Sequence, residues 1–393
     1  MVTLTTANNA LKEVYLGVLS NQLNTTINPL LARINQTTSD VWGKEIRKVA
    51  PYGINGGIGA GTETGDLPSS AENNYEQFVL SLKNLYGKLE ISDKAIRASE
   101  NSTGAFVNLL TSEMEGLIKA SAFNFGRMLY GDGTGKLATI TDNDTNSVVV
   151  DSTKNLIEGM VVDILTPSGA VLKSTLRITA INKETKTVTL STNQLTKSSY
   201  ADAENILCVQ GSYNNEITGL GAIFNTTGNL YGLNRENHNW LVPYMKDISN
   251  GSTQNITDIT IQSAIDDIEE SADSKVDFIV CSSGVKRNYQ SYLASYRSNV
   301  NILELEGGFK AISYNGIPLV SDRFAPANTM YLLNTSEFNL HQLCDWKWLE
   351  SEDGRVIRQT LGKPTYQATL VKYADIICNK PRGQAKITGI TES

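Results

Sequence analysis

Between Ser102 and Tyr130, apolar residues return at steps of three and four: Val107, Leu110, Met114, Leu117, Ile118, Phe125, Met128 and Leu129. That spacing lays them along one stripe of a 3.6-residue helix. Ser102 or Thr103 can cap its start, and Gly131 offers a left-handed stop. At 1.5 Å per residue the helix would run roughly 40 Å, where an ordinary globular helix has about 11–12 residues. Such a helix can act as a beam on which sheets lean. A second amphipathic segment covers residues 7–23, with Leu11, Val14, Tyr15, Val18 and Leu19 on one face. Asn24-Thr25-Thr26 and Pro29 end it. It packs on its own domain or serves as an arm that binds a neighbouring subunit or a scaffold.

Elsewhere the period falls to two. Trp42 to Val49 is extended and charged, through Lys44, Glu45, Arg47 and Lys48. A glycine-rich span from Pro51 to Gly65 follows, and then a second extended run from Tyr75 to Ser92 with Leu80, Leu82, Leu89 and Ile91 in partial alternation. Two extended runs joined by a flexible tip predict a long hairpin. Arms of about 9–10 residues would each reach about 30 Å. With few residues for a core of its own, this hairpin is expected to lie on another subunit.

From Val148 to Gln210 short β-prone runs alternate with turns: Val148–Val150, Val161–Leu165, Leu172–Ile181, Thr187–Leu190 and Ile206–Val209, with a hairpin tip at Lys183–Lys186. This predicts a small all-β module inserted into the chain. After Gly211 the pattern is mixed. Ile261, Ala264, Ile265 and Ile268 predict a helix starting near Thr257 or Asp258. Phe278–Cys281 reads as a buried strand, Gly284–Leu293 as a helix, and Asn315-Gly316 between apolar residues as a hairpin turn. Pro364 to Asn379 is extended. The end of the chain, Arg355 to Lys386, carries Arg355, Arg358, Lys363, Lys372, Lys380, Arg382 and Lys386 against the single acid Asp375. Such a strand can face DNA, pair with acidic neighbours or simply be solvated.

Composition narrows the function. The 393 residues suit two or three domains. A net charge of −7 argues against a protein whose main work is gripping phosphates. No signal peptide or membrane-length apolar stretch is visible. Cys208, Cys281, Cys344 and Cys378 lie far apart without metal-ligand spacing, which suits a reducing compartment. Candidate chemistry fails on detail. The 51–65 glycines do not fit Gly-x-Gly-x-x-Gly, and in Gly131–Lys136 the position after the lysine is Leu137, where Ser or Thr would bind magnesium. Asp142–Asn146 resembles the start of a calcium loop, but Ser147 replaces its glycine and Thr153 its bidentate glutamate. The acids Asp266, Asp267, Glu269 and Glu270 read as a solvated helix face. Only His238 and His341 could serve a nucleophile, neither in a recognisable signature, and Ser282-Ser283-Gly284 is not a nucleophile elbow. No catalytic residue, metal ligand or cofactor site is assigned, and the chain is not read as an enzyme.

The order of parts resembles the major capsid proteins of tailed bacteriophages over nearly the whole chain. The resemblance is carried by Gly126-Arg-Met-Leu-Tyr-Gly-Asp-Gly133, Asn315-Gly-Ile-Pro-Leu-Val320 and Tyr373-Ala-Asp-Ile-Ile-Cys-Asn-Lys-Pro-Arg382, and by the architecture around them. It implies an α+β phage major capsid fold with a long spine helix, a long β-hairpin extended loop, an axial α/β domain and an inserted small β domain. In that scheme residues 1–41 are an N-terminal arm, 42–92 the extended loop, and 93–139 the peripheral domain. Residues 140–210 are the inserted β domain, 211–350 the axial domain, and 351–393 strands returning to the peripheral domain. Many copies, as hexamers and pentamers, would close into an icosahedral head around double-stranded DNA, assembled in a bacterial host's cytoplasm. Lys44, Glu45, Arg47 and Lys48 would contact a neighbouring subunit. A portal protein and decoration proteins are implied partners. A separate scaffolding protein is expected, because the arm is short. Some relatives form Lys–Asn crosslinks, but no residue here matches such a site. A bacterial encapsulin shell shares the fold and is the alternative. An enzyme would need an organised pocket around a histidine, and a surface adhesin a secretion signal.

Overall fold

The computed structural model describes residues 28–39, 41, 45–95, 103–192, 195, 200, 204–295, 302–304, 310–350, 354 and 356–393. The amphipathic segment at 7–23, the Ser102 cap, Lys44 and the side chains of Val107 and Leu110 lie outside this description.

In chain order the strands begin with β1 (Asn35–Thr37), β2 (Ile46–Tyr52), β3 (Asn74–Leu80) and β4 (Lys83–Ser92). Helix α1 (Thr103–Met128) precedes β5 (Lys136–Asn143), β6 (Ser147–Val150), β7 (Val161–Leu165), β8 (Val171–Asn182), β9 (Thr187–Leu190) and β10 (Ile206–Val209). Then come α2 (Leu220–Ile223), β11 (Asn229–Leu230), β12 (Leu233–Asn234), β13 (Tyr244–Asp247), α3 (Asp258–Ala272), β14 (Phe278–Cys281) and α4 (Ser283–Ser295). The chain closes with β15 (Ile302–Glu304), β16 (Lys310–Tyr314), β17 (Ile317–Ser321), β18 (Met330–Leu333), β19 (Phe338–Trp348), β20 (Arg358–Gln359), β21 (Thr365–Cys378) and β22 (Ala385–Thr388).

The first sheet has the order β1-β19-β21-β20, with β4 on the other edge of β21. Helix α1 lies on it. The pairing of Leu85 with Lys372, Gly87 with Leu370 and Leu89 with Ala368 sets these residues on the helix side. A side chain at Gly87 would press on Leu117 and Ser121, so glycine lets the strand approach the helix. Met114, Ile118, Phe125 and Met128 fill the interface with Leu85, Leu370 and Trp346.

The apolar stripe therefore has the predicted partner, but the helix ends differently from the expectation. Gly131 is not among the glycines with positive φ. The last turn tightens instead: the amides of Tyr130 and Gly131 donate to the carbonyls of Arg127 and Met128, at 3.1 and 3.0 Å. The carbonyls of Leu129 and Gly131 then accept the amides of Leu220 (2.7 Å) and Ala222 (3.3 Å) in α2. A distant segment thus satisfies acceptors that a helix end leaves open. Gly219 makes room for this contact, since a Cβ there would stand 2.6 Å from the Gly131 oxygen and 2.8 Å from that of Leu129. Gly219→Ala is expected to cost about 1–3 kcal/mol by overpacking. Gly116→Ala, on the helix with nothing within 4 Å, should instead gain about 0.5–1 kcal/mol. Thermal melts of the two variants check this, and equal shifts would contradict it.

The second sheet runs β13-β22-β18-β14-β17-β16-β15. Its central strand β14 is buried at every position. Ile279 and Cys281 point to α3 and α4, where Ile261, Ile265, Ile268, Val285 and Tyr289 pack. Phe278 and Val280 join the core that also holds α1. The Asn315-Gly316 turn between β16 and β17 has φ of 47° and 84°, as a two-residue hairpin loop of this type requires. Thr257 caps α3 by accepting the Thr260 amide.

Strands β10-β5-β6-β9-β8-β7 close a barrel. Its interior is its own, filled by Ile140, Val148, Val150, Val162, Ile164, Ile178, Val188 and Leu207. One strand, β5, is absent from the sequence reading. It follows Gly133 and Gly135, both at positive φ, directly after the stretch that resembles a nucleotide loop. That stretch leads into a strand, and a cut at residue 140 would divide β5. Lys154 ties the barrel to the body by donating to the Ala325 carbonyl.

Candidate functional site

Residues 46–80 form the hairpin ribbon foreseen from the pattern, but a shorter one. Strands β2 and β3 pair antiparallel from Ile46–Leu80 to Tyr52–Asn74. The long run from Tyr75 to Ser92 is not one arm. After Leu80 the chain leaves the ribbon, and β4 pairs along β21 in the first sheet. Hydrophobic alternation marks both stretches alike, because each buries one face; only the partner strand distinguishes them.

The ribbon's root is not coreless either. Ile46, Ala50, Phe78 and Leu80 are buried in the main core. The Val79 amide donates to the Tyr231 carbonyl at 2.9 Å. Phe78 packs on Tyr231 and Trp240, with centroids 5.1 and 5.9 Å apart. Tyr52, at the far end of β2, stacks on Trp240 at 5.2 Å with planes 6° apart. His238, one of the two histidines considered for catalysis, packs edge-on against the same indole.

Beyond Tyr52 the chain is exposed. Ile54, Ile58 and Leu67 are 75%, 74% and 90% accessible. Among the described residues the loop is braced by itself: Asn55 donates to the Asn73 side chain (3.1 Å) and accepts the Gly57 amide (2.8 Å), and Asn74 donates to the Ile54 carbonyl (3.4 Å). Val49 and Tyr75 continue the apolar exposure along the outer face of the ribbon. The free end of this anchored ribbon thus carries three exposed large apolar side chains. Sequence reasoning did not single out these residues because the glycines around them read as a flexible tip. Apolar residues within the glycine-rich span, Ile54 and Ile58, and just after it, Leu67, were the available signal.

Of the four charged residues assigned to this arm, Lys44 lies outside the described residues. Arg47 is exposed and pairs with Glu45 at 3.3 Å. In that position the pair contributes little to stability. Lys48 shares the half-buried face with Ile46 and Ala50.

The basic C-terminal strand departs most from expectation. Lys372 does not face outward. The register of β21 turns it under α1, where it is fully buried, donates to Gln342 and Asp345 at 2.7 Å each, and lies 5.2 Å from the Phe125 ring. Burial lowers its pKa, partly offset by Asp345. Lys386 is half-buried against the Tyr331 ring, and Lys380 donates to the Asp273 carbonyl.

Asp375, on the same strand, is fully buried and accepts from the amide (2.6 Å) and hydroxyl (3.1 Å) of Thr218 and from the amide of Ile376 (2.8 Å). Burial outweighs these bonds and pushes its pKa up from 3.8 to about 6. The folded chain therefore holds this proton more tightly than the unfolded one. The stabilisation is complete below about pH 4 and is lost as pH rises through about 6. A displacement of that size corresponds to about 3 kcal/mol. Asp375→Asn is expected to flatten the stability profile between pH 4.5 and 7, and urea melts at the two pH values check it.

The four cysteines are free thiols, and burial pushes Cys208 and Cys281 up to about 12. No group of three His, Cys, Asp or Glu side chains is placed to hold a metal ion among the described residues.

The described residues present a braced ribbon with an apolar tip on an α+β body of two sheets, a long helix and a barrel. No protein-family model and no curated protein matches the sequence. The structure is similar to a chain of the cyanophage A-1(L) capsid asymmetric unit, with TM-score 0.57 and 14% identity over 95% of this chain and 93% of that one. It also matches the capsid of Myoviridae phage XM1 (TM-score 0.48, 10% identity, 93% and 92% covered). A further match is the holo-SrpI encapsulin complex of Synechococcus elongatus PCC 7942 (0.45, 10%, 93% and 89%). At 14% identity the likeness to the cyanophage chain establishes the fold alone, and the chain has the phage major capsid fold.

Proposed function

We propose that this chain is the structural subunit of a phage head: copies of it assemble as hexamers and pentamers into an icosahedral shell around double-stranded DNA. The observation that carries the reading is the ribbon, rooted in its own core and ending in exposed Ile54, Ile58 and Leu67. The fold shared across 95% of the chain with a cyanophage capsid chain supports it. In this reading the ribbon and its tip are the extended loop that crosses an adjacent subunit. Helix α1 and the first sheet form the peripheral domain, the second sheet with α3 and α4 the axial domain, and the barrel an insertion. The charges of Lys44, Glu45, Arg47 and Lys48 fix the register of that contact more than its strength. A net charge of −7 suits a container that must not bind its genome tightly. Portal, scaffolding and decoration proteins are the partners such a shell takes, and its work is structural, not catalytic.

Sedimentation and negative-stain microscopy of the purified chain, alone and with a scaffolding protein, test the proposal. Closed shells, with nuclease-protected DNA in particles from infected cells, are expected. A chain that stays monomeric under both conditions would overturn it. Shells holding a protein cargo in place of DNA would move the assignment to an encapsulin-type compartment.

A further inference from the structure

Strands β11 and β12 are joined by two residues only, Tyr231 and Gly232. Both have positive φ, 51° and 86°. That is the tight hairpin turn in which Asn-Gly and Asp-Gly are usual, because residues with bulky side chains are strained there. A buried tyrosine at such a position is held by its surroundings, and strain of this kind gathers where geometry has a task.

The surroundings identify the task. The Tyr231 hydroxyl accepts the Cys378 amide at 2.9 Å, which fixes the ring to the end of β21 in the first sheet. Its carbonyl accepts the Val79 amide of β3, and its ring packs on Phe78. Nine residues on, Trp240 stacks on Phe78 and, further out, on Tyr52. The segment from 229 to 241 therefore grips the ribbon at its root and again where the paired strands end. Past that second grip the chain contacts mainly itself.

We infer that Tyr231 and Trp240 form a clamp that sets the inclination of the ribbon to the body, and thereby where its tip lands on a neighbour. The inference rests on the shell reading above. Leverage makes the clamp matter. About ten extended residues span about 30 Å, so a tilt of ~5° at the grip moves the end by ~2–3 Å. That is enough to take an apolar side chain out of a packed contact. The root is buried in the core and resists tilting. The outer grip, made by stacking between the half-buried Tyr52 and Trp240 rings, is the adjustable part. Tyr52 and Trp240 are accordingly positioning residues for assembly.

The test uses two variants at that half-buried grip, Trp240→Leu and Tyr52→Leu, which leave the buried Tyr231 in place. Spin labels at Leu67→Cys on the tip and Ile259→Cys on the exposed face of α3, in a Cys344→Ser background, report the inclination in unassembled subunits. In both variants the distance distribution between the labels is expected at least to double in width, with the circular dichroism spectrum unchanged. Particles formed from them are expected to be of mixed diameter or open. An unchanged distribution in folded subunits would overturn the clamp, whether or not particles form. Particles of uniform, parental diameter would overturn its role in assembly. Failure of the parental chain to assemble would count against the shell reading alone, and the label distances would still decide the clamp.

Discussion

Replacing Arg127 by methionine is expected to lower subunit stability by about 3–5 kcal/mol. Arg127 leaves the last turn of α1 and meets Glu216, with both side chains almost wholly buried at 3% and 2% accessibility. The guanidinium addresses the carboxylate with both Nη atoms, Nη1 at 2.9 Å from Oε2. It also donates from Nη2 (2.7 Å) and Nε (3.2 Å) to Asn124. The pair joins the helix end to the chain returning from the barrel, just before α2 closes on the same helix end. Methionine keeps much of the volume but leaves the Glu216 charge buried without its partner, and that uncompensated charge is the main cost. Removing both charges, as in Arg127→Met with Glu216→Leu, should recover most of the loss, because two apolar groups restore a neutral interior. Urea melts of the two single variants and the double variant check this. Additive losses would mean that the two side chains act separately.

The second large effect is on assembly and not on folding. Tyr52 and Asn74 face each other at the end of the paired ribbon, so residues 53–73 can be replaced by Asn-Gly, the preferred two-residue hairpin loop. The root contacts of Phe78, Ile46 and Leu80 are untouched by this change. A subunit with near-parental melting temperature is expected, because the excised tip buries no core residue. Assembly should be lost or reduced to small oligomers, since Ile54, Ile58 and Leu67 are removed together. Reversing charge on the arm, Arg47→Glu with Lys48→Glu, should be milder and most visible at low salt, where screening is weak. Normal particles from the tip-replaced chain would mean that the tip does not carry the subunit contact.

Much of the architecture was legible where a segment's own period dictates its structure. The stripe ending at Phe125 and Met128, the cap at Thr257, the Asn315-Gly316 turn and the central strand Phe278–Cys281 all depend on neighbours a few residues away. The incomplete loop motifs at Gly131–Lys136 and Asp142–Asn146 fail on the same local grounds, and the first of them runs into strand β5.

Three features depended on partners far along the chain. The end of α1 looked like a glycine stop, yet it is finished by amides from Leu220 and Ala222, some ninety residues on. The run from Tyr75 to Ser92 has one pattern but two partners, β2 and β21, and alternation cannot say which strand a strand pairs with. Lys372 looked like part of a basic surface, while the pairing of β21 with β4 turned it beneath α1 to meet Asp345.

The sequence by itself determined many of the elements, an order of parts that resembles a capsid protein, and the lack of a recognisable catalytic signature, because periodicity, turn chemistry and motif spacing are local properties. Only the tertiary structure decided which ends of the ribbon are anchored and which are free. Burial is a property of the packed chain: it hid Phe78 and Lys372, left Ile54, Ile58 and Leu67 in the open, and brought Tyr231 and Trp240 against a ribbon more than 150 residues earlier.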